Sequence, residues 1–534
     1  MINLKRNIVI RGGQIVDGTG RAAYEADLSI NSGKIEEIGN LGPRFSYQEI
    51  DARGLTVAPG FIDAHSHSDL ILLKEDILDC KIRQGVTCEV LGQDGLSVFP
   101  LNERNRDLMP GLVAGLLGHE PADRPWNSLS EYSEALQKHG VSSNYALLVP
   151  HGTGRAAVMG METRAATDAE IGAMVQLVEE GMRQGAVGLS TGLYYVPCGY
   201  ADRRELLALA AAVGRFDGPV VVHIRNESEN LLSALREMCD ICLEAGARLH
   251  ISHYKVMGHA NWGLVKEGIK LISDYMARGL SVTFDQYPYT AGSTSLISRL
   301  PPWAMEGGLT KALERCTDPC LRTQIKAELK NPATEWENRA LVIGWENTVI
   351  SSVVNPENFA LVGKNISQIA QEQGKEAEDV FLDMLVSENS SPSIITFMAS
   401  EEDVATVMRH PQTMVCTDGI PGLKPHPRLY GTFPRILGYY VREKKVLSLE
   451  EAVRKMTSLP ARTFRLGQRG ELRPGWAADL VLFNAQTVCD NASYENPCAY
   501  SSGIEWVFVN GEAVVSPQHI GANGAGRYLQ QKQS

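Results

Sequence analysis

Val57-Ala58-Pro59-Gly60-Phe61-Ile62-Asp63-Ala64-His65-Ser66-His67-Ser68-Asp69 reads as an apolar strand that leaves a Pro-Gly turn and ends in two histidines at i and i+2. On a strand, that spacing points both side chains to one face. Two neutral imidazoles side by side can hold one divalent metal. A histidine pair after a strand is as readily a surface or capping pair, so further ligands have to come from elsewhere in the chain.

Outward from this stretch, the texture toward the N-terminus is short β segments broken by turn residues. Ile8–Arg11, Gly13–Val16, Ala26–Ile30, Lys34–Gly39 and Leu55–Val57 are punctuated by Asp17-Gly18-Thr19-Gly20 and Asn31-Ser32-Gly33. The C-terminal end repeats it. Gly475–Phe483 is a strand, and Ile504–Val515 folds back on itself through Asn510-Gly511. The two ends are expected to pack together as a small β-sandwich domain, residues 1–58 plus 470–534.

Between them, apolar runs alternate with helical patterns. The runs are Gly60–His65, Val86–Leu91, Tyr145–Pro150, Ala186–Ser190, Val220–His223, Arg248–His253, Ser281–Asp285 and Met414–Thr417. Helices are expected at Asp168–Gln184, Arg203–Phe216, Glu229–Ala245 and Gly263–Arg278. Continuous apolar strands alternating with helices imply a parallel sheet covered on both faces. Eight of them is the count of an α/β (β/α)8 TIM-like barrel, here residues 59–469, with its active site at the C-terminal ends of the strands. Residues 295–395 are too long for a simple loop, and they predict an inserted subdomain or lid with a helix near Thr310–Leu329 and a strand at Arg339–Ile343.

Composition narrows the class. The chain of 534 residues is 44% hydrophobic and 21% charged, which suits a folded soluble protein of more than one domain. The net charge of −12 argues against nucleic acid or an anionic membrane as partner. Residues 1–7 carry no apolar leader and no run of 18 apolar residues occurs, so a cytoplasmic protein is expected. The ten cysteines form no framework, and Cys239 and Cys242 fall in a helical run, as reduced helix residues. Nothing in the sequence speaks to oligomeric state.

Polar residues concentrate at the ends of the apolar runs. In order they are His65 and His67; Gln93-Asp94; His151; Ser190-Thr191 with Tyr194-Tyr195; His223; His253-Tyr254-Lys255; Asp285-Gln286-Tyr287; and Thr417-Asp418. A single histidine at such a place is an ordinary core residue. Four histidines and two acids at the same end of separate strands point to a metal site. His151 reads either as a support for that site or as the cap of a loop. Tyr194 and Tyr195 wall a side-chain pocket or pack the barrel.

This constellation resembles the amidohydrolase superfamily, whose order is HxH on the first strand, two later single histidines, and an Asp on the last strand. More narrowly, the chain is similar to the N-acyl-D-amino-acid deacylase (D-aminoacylase) family. The motifs that carry the similarity are Ala58–Asp63, Gly188–Leu193, Ile251–Lys255, Asp285–Ala291, His426–Arg435 and Met456–Ala461. The resemblance spans nearly the whole chain. One departure stands out: the family's second strand ends Gly-Asn-Cys-Gly with a metal-binding thiolate, whereas Gly92-Gln93-Asp94-Gly95 stands here. A carboxylate replaces a thiolate as a harder ligand able to bridge two ions. Cys88, deeper in the run, reads as core, and no lysine ends the fourth run where other branches carry a bridging carboxylated lysine.

The resemblance implies a metal-dependent hydrolase of linear amides that releases a carboxylate and a free D-amino acid from a small substrate with a free carboxylate. Asp94, His223 and His253 would hold one tight divalent ion, zinc first, and His65 and His67 with Asp94 leave room for a second, weaker one. Asp418 would act as general base and then acid. Lys255, Tyr287 and Arg428, with Ser293 as helper, would grip the substrate carboxylate, for which a planar guanidinium fork is well shaped. Tyr194 would border the side-chain pocket. Dipeptides with a C-terminal D-residue need the same grip. Cyclic amides of the hydantoinase or dihydroorotase kind are the other reading, against which His253-Tyr254-Lys255 and His426-Pro427-Arg428 stand.

Overall fold

The computed structural model describes residues 7–44, 47–74, 79–118, 124–389, 392–520 and 524–531. The leader-free N-terminus expected from the sequence lies almost wholly outside these residues. Within them, no helix is long and apolar enough to cross a membrane.

Both ends of the chain contribute to one sheet. Among the described residues it has nine strands, with Leu480–Phe483 of the C-terminal end lying antiparallel against Thr56–Pro59 of the N-terminal end, Val481 opposite Ala58. The opening stretch is therefore two strands rather than one. Thr56–Pro59 belongs to the end sheet, and Phe61–Asp63 belongs to the next one. Gly60 is the joint between them. A Cβ there would come within 2.2 Å of the Thr87 hydroxyl, so the chain can change sheets this tightly only at glycine.

The alternating region holds eight parallel runs: β1 (Phe61–Asp63), β2 (Val86–Leu91), β3 (Asn144–Leu147 with Val149–Pro150), β4 (Leu189–Gly192), β5 (Pro219–His223), β6 (Arg248–Ile251), β7 (Val282–Gln286) and β8 (Thr413–Val415). Backbone hydrogen bonds bridge the sheet of β1, β2 and β3 to the other runs at both edges. Val187 donates to Leu147 (2.9 Å), and Asp418 donates to His65 (2.9 Å). The strands are buried on both faces, as the unbroken apolar runs require. The predicted helices appear at Asp168–Arg183, Arg203–Gly214, Leu231–Ala245 and Val265–Ala277. Thr167 and Glu170 close the first of these with a capping box. Cys239 and Cys242 are buried in the third.

After β7 the chain builds a separate three-stranded antiparallel sheet from Ala291–Ser295, Thr348–Ser352 and Ser393–Phe397. Helices Leu309–Thr317, Pro319–Leu329, Ile366–Gln373 and Ala377–Glu388 accompany it. The strand expected at Arg339–Ile343 is instead a five-residue helix. A short apolar run fits either form, and here Gly344 ends a helical turn at φ +86°, with the true strand beginning four residues later.

One buried cluster ties the first, second and last runs together. Lys81 donates to Asp63, to Ser66 Oγ at 3.2 Å and to Thr417 Oγ1 at 2.6 Å, and lies 3.5 Å from Glu89. Asp63 also accepts from the Thr417 backbone N–H at 2.8 Å. Burial opposes the Lys81 charge, but Asp63 and Glu89 outweigh it and lift the ammonium to about 12. Removing one member of a buried ion cluster leaves uncompensated charge, typically about 3–5 kcal/mol. Lys81→Met should therefore lower the thermal midpoint by several degrees; an unchanged midpoint would show that the cluster does not hold these three runs together.

Candidate metal centre

The histidines of the opening stretch stand just past β1, in irregular backbone, so strand alternation is not what aligns them. A bend does. Ser66 turns its hydroxyl to Glu89 (2.7 Å), and the Nε2 atoms of His65 and His67 come to 3.4 Å from each other. His223 closes β5, and His253 follows two residues after β6. His223 Nδ1 and His253 Nε2 lie 2.9 Å apart.

Asp94 stands between these two couples. Its Oδ2 lies 3.8 Å from His65 Nε2 and 3.7 Å from His67 Nε2, and its Oδ1 lies 3.8 Å from His223 Nδ1 and 3.7 Å from His253 Nε2. Asp418, three residues past β8, brings Oδ1 to 3.2 Å from His67 Nε2 and 3.7 Å from His65 Nε2. Its other oxygen is 2.9 Å from Arg428 Nη1. Asp94, His253 and Asp418 all hold positive φ, at +54°, +35° and +46°. Non-glycine residues rarely adopt that region, and such strain concentrates where geometry serves chemistry.

The far nitrogens of one couple meet a different set of groups. Glu227 lies 3.4 Å from His223 Nε2 and 3.2 Å from His253 Nδ1. Lys255 Nζ is 2.7 Å from Glu227 and 2.9 Å from His253 Nδ1. Arg339 Nη2 is 3.1 Å from Glu227 and 3.2 Å from His223 Nε2, and its Nε donates to Glu337 at 2.6 Å. A carboxylate on the outer nitrogen of a ligand histidine fixes its ring and tautomer. Asp285 does similar work nearby, accepting from the His253 backbone N–H at 2.6 Å and lying 2.7 Å from His250 Nε2. The sequence reading did not single out Glu227, Glu337, Arg339 or Lys81. The one local signal was Glu227 four residues after His223.

All six converging residues are buried. Burial pushes His65 down to about 4 despite Asp94 and Asp418, and pushes His223 well below the usual imidazole range. Burial and Lys255 also act against charge on His253, but Glu227 and Asp94 overcome them and lift it to about 9. Burial works against ionisation of Asp418, yet Arg428 and His67 hold it well below the ordinary carboxylate range.

The donor set fits a divalent metal. Ligand atoms of His65, Asp94 and His253, and of His65, His67 and Asp418, lie within 4.8 Å of one another. Asp94 Oδ1 is buried with no hydrogen-bond partner, although it faces two imidazole nitrogens. A buried, unpaired carboxylate oxygen calls for a cation. Imidazole and carboxylate together suit zinc. A third set, His223, Glu227 and His253, is equally compact, but it faces away from Asp94 and already carries Lys255 and Arg339.

Lys255, Tyr287 and Ser293 line the same small cavity as His67, Asp94, His223, His253 and Asp418. The Ser293 hydroxyl is buried without a partner. The Tyr287 ring sits 4.4 Å from the Arg428 guanidinium. Arg428 itself is fully buried behind Asp418, with Nη2 donating to Ser293 O at 3.1 Å. Tyr194 lies on the other side of His223, stacked on it at 5.9 Å and covered by Arg339 at 3.5 Å. It lines a second cavity, of about 490 Å³. His151 lies outside the cavity lining, paired with Glu205 (2.7 Å) and Thr191 (2.8 Å). Cys88 is buried in β2, where desolvation pushes its thiol up.

A model of the amidohydrolase family matches residues 48–515. The D-aminoacylase of Alcaligenes xylosoxydans xylosoxydans is 37% identical over 98% of this chain and 97% of its own length. The N-acyl-D-glutamate deacylase of the same organism is 35% identical over 99% of this chain and 98% of its own. Among solved structures, the N-acyl-D-glutamate deacylase from Bordetella bronchiseptica, complexed with zinc and a phosphonate mimic of the tetrahedral intermediate, superposes with a TM-score of 0.84 at 34% identity, covering 99% of this chain and 100% of that one. A family model that spans most of the chain, and full-length relatives this similar, place it by descent as its ligand geometry does by chemistry: the chain belongs to the amidohydrolase family.

Proposed function

We propose that the protein hydrolyses the N-acyl amide bond of N-acyl-D-amino acids, using a bound divalent metal, zinc first, and releasing a carboxylate and a free D-amino acid. The observation that carries this is Asp94 between two histidine couples, with Asp418 at the edge of one of them. The likeness along the whole chain to D-amino-acid deacylases supports the linear-amide substrate. In this reading β1 to β8 close as a (β/α)8 barrel within residues 59–469. Residues 1–58 with 470–534 form a β-sandwich beside it, and 295–395 is an insertion that covers the mouth as a lid. The backbone bonds at both sheet edges support closure.

Asp94, His223 and His253 would hold the tighter ion, and His65 and His67 with Asp94 a second. Such a metal supplies a water of lowered pKa and polarises the amide carbonyl. Asp418, kept ionised by Arg428, accepts the proton of the attacking water at Oδ1 and returns it to the leaving nitrogen. Lys255, Tyr287 and Ser293 hold the substrate carboxylate from the cavity wall, and Arg428 adds its charge from behind Asp418. Glu227 keeps His223 and His253 turned toward Asp94.

Each role has its own readout. Asp94→Ala should bind clearly less metal by elemental analysis of the purified protein; stoichiometric metal would hand the bridging role to another group. Asp418→Asn should keep its metal and lose at least ~100-fold in turnover, the usual scale of a lost acid–base group. Turnover close to normal would remove Asp418 from the chemistry. Tyr287→Phe should raise KM by about 10-fold on N-acyl-D-amino acids, the worth of one hydrogen bond to a charged group, and leave the corresponding amides unaffected. An equal change on both would sink the carboxylate assignment.

A further inference from the structure

A second buried polar cluster adjoins the metal centre without lining its cavity. Its members are His151, Glu205, Arg155 and Cys198, all buried. His151 Nε2 lies 2.7 Å from Glu205 Oε1, and its Nδ1 lies 2.8 Å from Thr191 Oγ1. Arg155 Nε donates to the same carboxylate at 3.1 Å. His151 also hydrogen-bonds the Cys198 sulfur.

Cys198 is wedged against the turn that carries Asp94. A Cβ added to Gly95 would come within 2.7 Å of Sγ, and so would one added to Gly152. The same turn rests on β4, where Gly95 N–H donates to Ser190 Oγ at 3.1 Å and Ser190 donates to Gly92 O. Asp94 itself holds φ +54°, and a non-glycine residue stays in that region only where its surroundings over-determine it.

Three donors serve the one sulfur: Gly192 N–H, the Thr191 hydroxyl and the His151 ring. A thiol is a weak acceptor with a proton of its own, whereas a thiolate suits such a set. Its charge is balanced within the cluster, where Arg155 faces Glu205 and the His151 imidazolium faces the sulfur. Burial works against charge on both partners. Even so, Cys198 and Glu205 lift His151 to about 9, and His151 holds the Cys198 thiol below its ordinary range. In Cys80, Cys88, Cys239 and Cys242, by contrast, burial pushes the thiol up.

We infer that Cys198 is a positioning residue of the metal centre: paired with His151, it is the anion on which the turn carrying Asp94 is seated. It lines no part of the cavity around Asp94 and acts through Gly95. His151 is then a support of the site at one remove rather than a loop cap. The inference rests on Asp94 as a metal ligand and is independent of which amide is cleaved.

Two measurements test it, and neither is turnover. The first is the ultraviolet absorbance of thiolate in the native protein at about pH 6, where an ordinary thiol is protonated. One thiolate per chain is expected, and none in His151→Gln. The second is zinc affinity, read by competition with a chelator. Cys198→Ala and Cys198→Ser should both lose about 10- to 100-fold, the usual scale for a group that orients a ligand from outside. Cys242→Ala, in the helix Leu231–Ala245, should keep the affinity of the unchanged protein. Serine fills the space and accepts the same hydrogen bonds but stays neutral, so it separates charge from packing. The inference is overturned if the native protein shows no thiolate, or if Cys198→Ser binds zinc as tightly as the unchanged protein. Should the Cys198 variants fail to fold, His151→Gln decides: zinc affinity within a few-fold of the unchanged protein overturns the inference. Undiminished zinc binding in Asp94→Ala would overturn the ligand assignment, and this inference with it.

Discussion

Two pairs of buried imidazoles converge on one point, and a single carboxylate stands between them. In this protein that is the Asp94 carboxylate, one oxygen toward His65 and His67 and the other toward His223 and His253. Everything near the centre follows from keeping this arrangement. The turn Gly92–Gly95 puts Asp94 at positive φ, and Gly92 and Gly95 take left-handed conformations on either side of it. The Lys81 cluster fixes the distance between β1 and the end of β8, and thereby the spacing of His65 from Asp418. Glu227 braces the outer nitrogens of the second couple, and is itself braced by Lys255 and Arg339.

That brace links two parts of the chain far apart in sequence. Arg339 and Glu337 belong to the segment that follows β7, yet they reach the outer face of His223. Ser293, Thr294 and Thr396, from the three-stranded sheet of the same segment, line the small cavity that His67, Asp94, His223, His253 and Asp418 also line. The chain that follows β7 thus forms part of the wall of the site. A change in its packing would reach the metal ligands through one guanidinium and one carboxylate, and such outer partners commonly matter nearly as much as the ligands themselves.

Much of this was legible in the sequence, for specific reasons. The parallel runs show because strands buried on both faces must be apolar throughout, and the polar residues that converge at the site show because they interrupt those runs at one end. His223 at the end of β5 is visible for that reason. The outer groups are not, because Glu227 lies in irregular backbone and Arg339 opens a short helix, both places where charged residues are ordinary. Lys81 hides differently: a lysine in a short helix reads as solvated, and only the fold buries it against Asp63 and Glu89. The strand expected at Arg339–Ile343 fails because four apolar residues carry no period, and the glycine after them decides for a helix. The pairing of His65 with His67 was foreseen through strand alternation, whereas a bend past β1 produces it.

In the function proposed above, one metal-dependent centre built on Asp94 cleaves the amide of N-acyl-D-amino acids. The most direct measurement is chiral chromatography of the amino acid released from racemic N-acetyl substrates by the purified protein, as isolated, after metal stripping, and after zinc is restored. The expected result is the D-enantiomer alone, its loss on stripping and its return with zinc. Release of the L-enantiomer at a comparable rate, or D-release that persists after complete removal of metal, would contradict it.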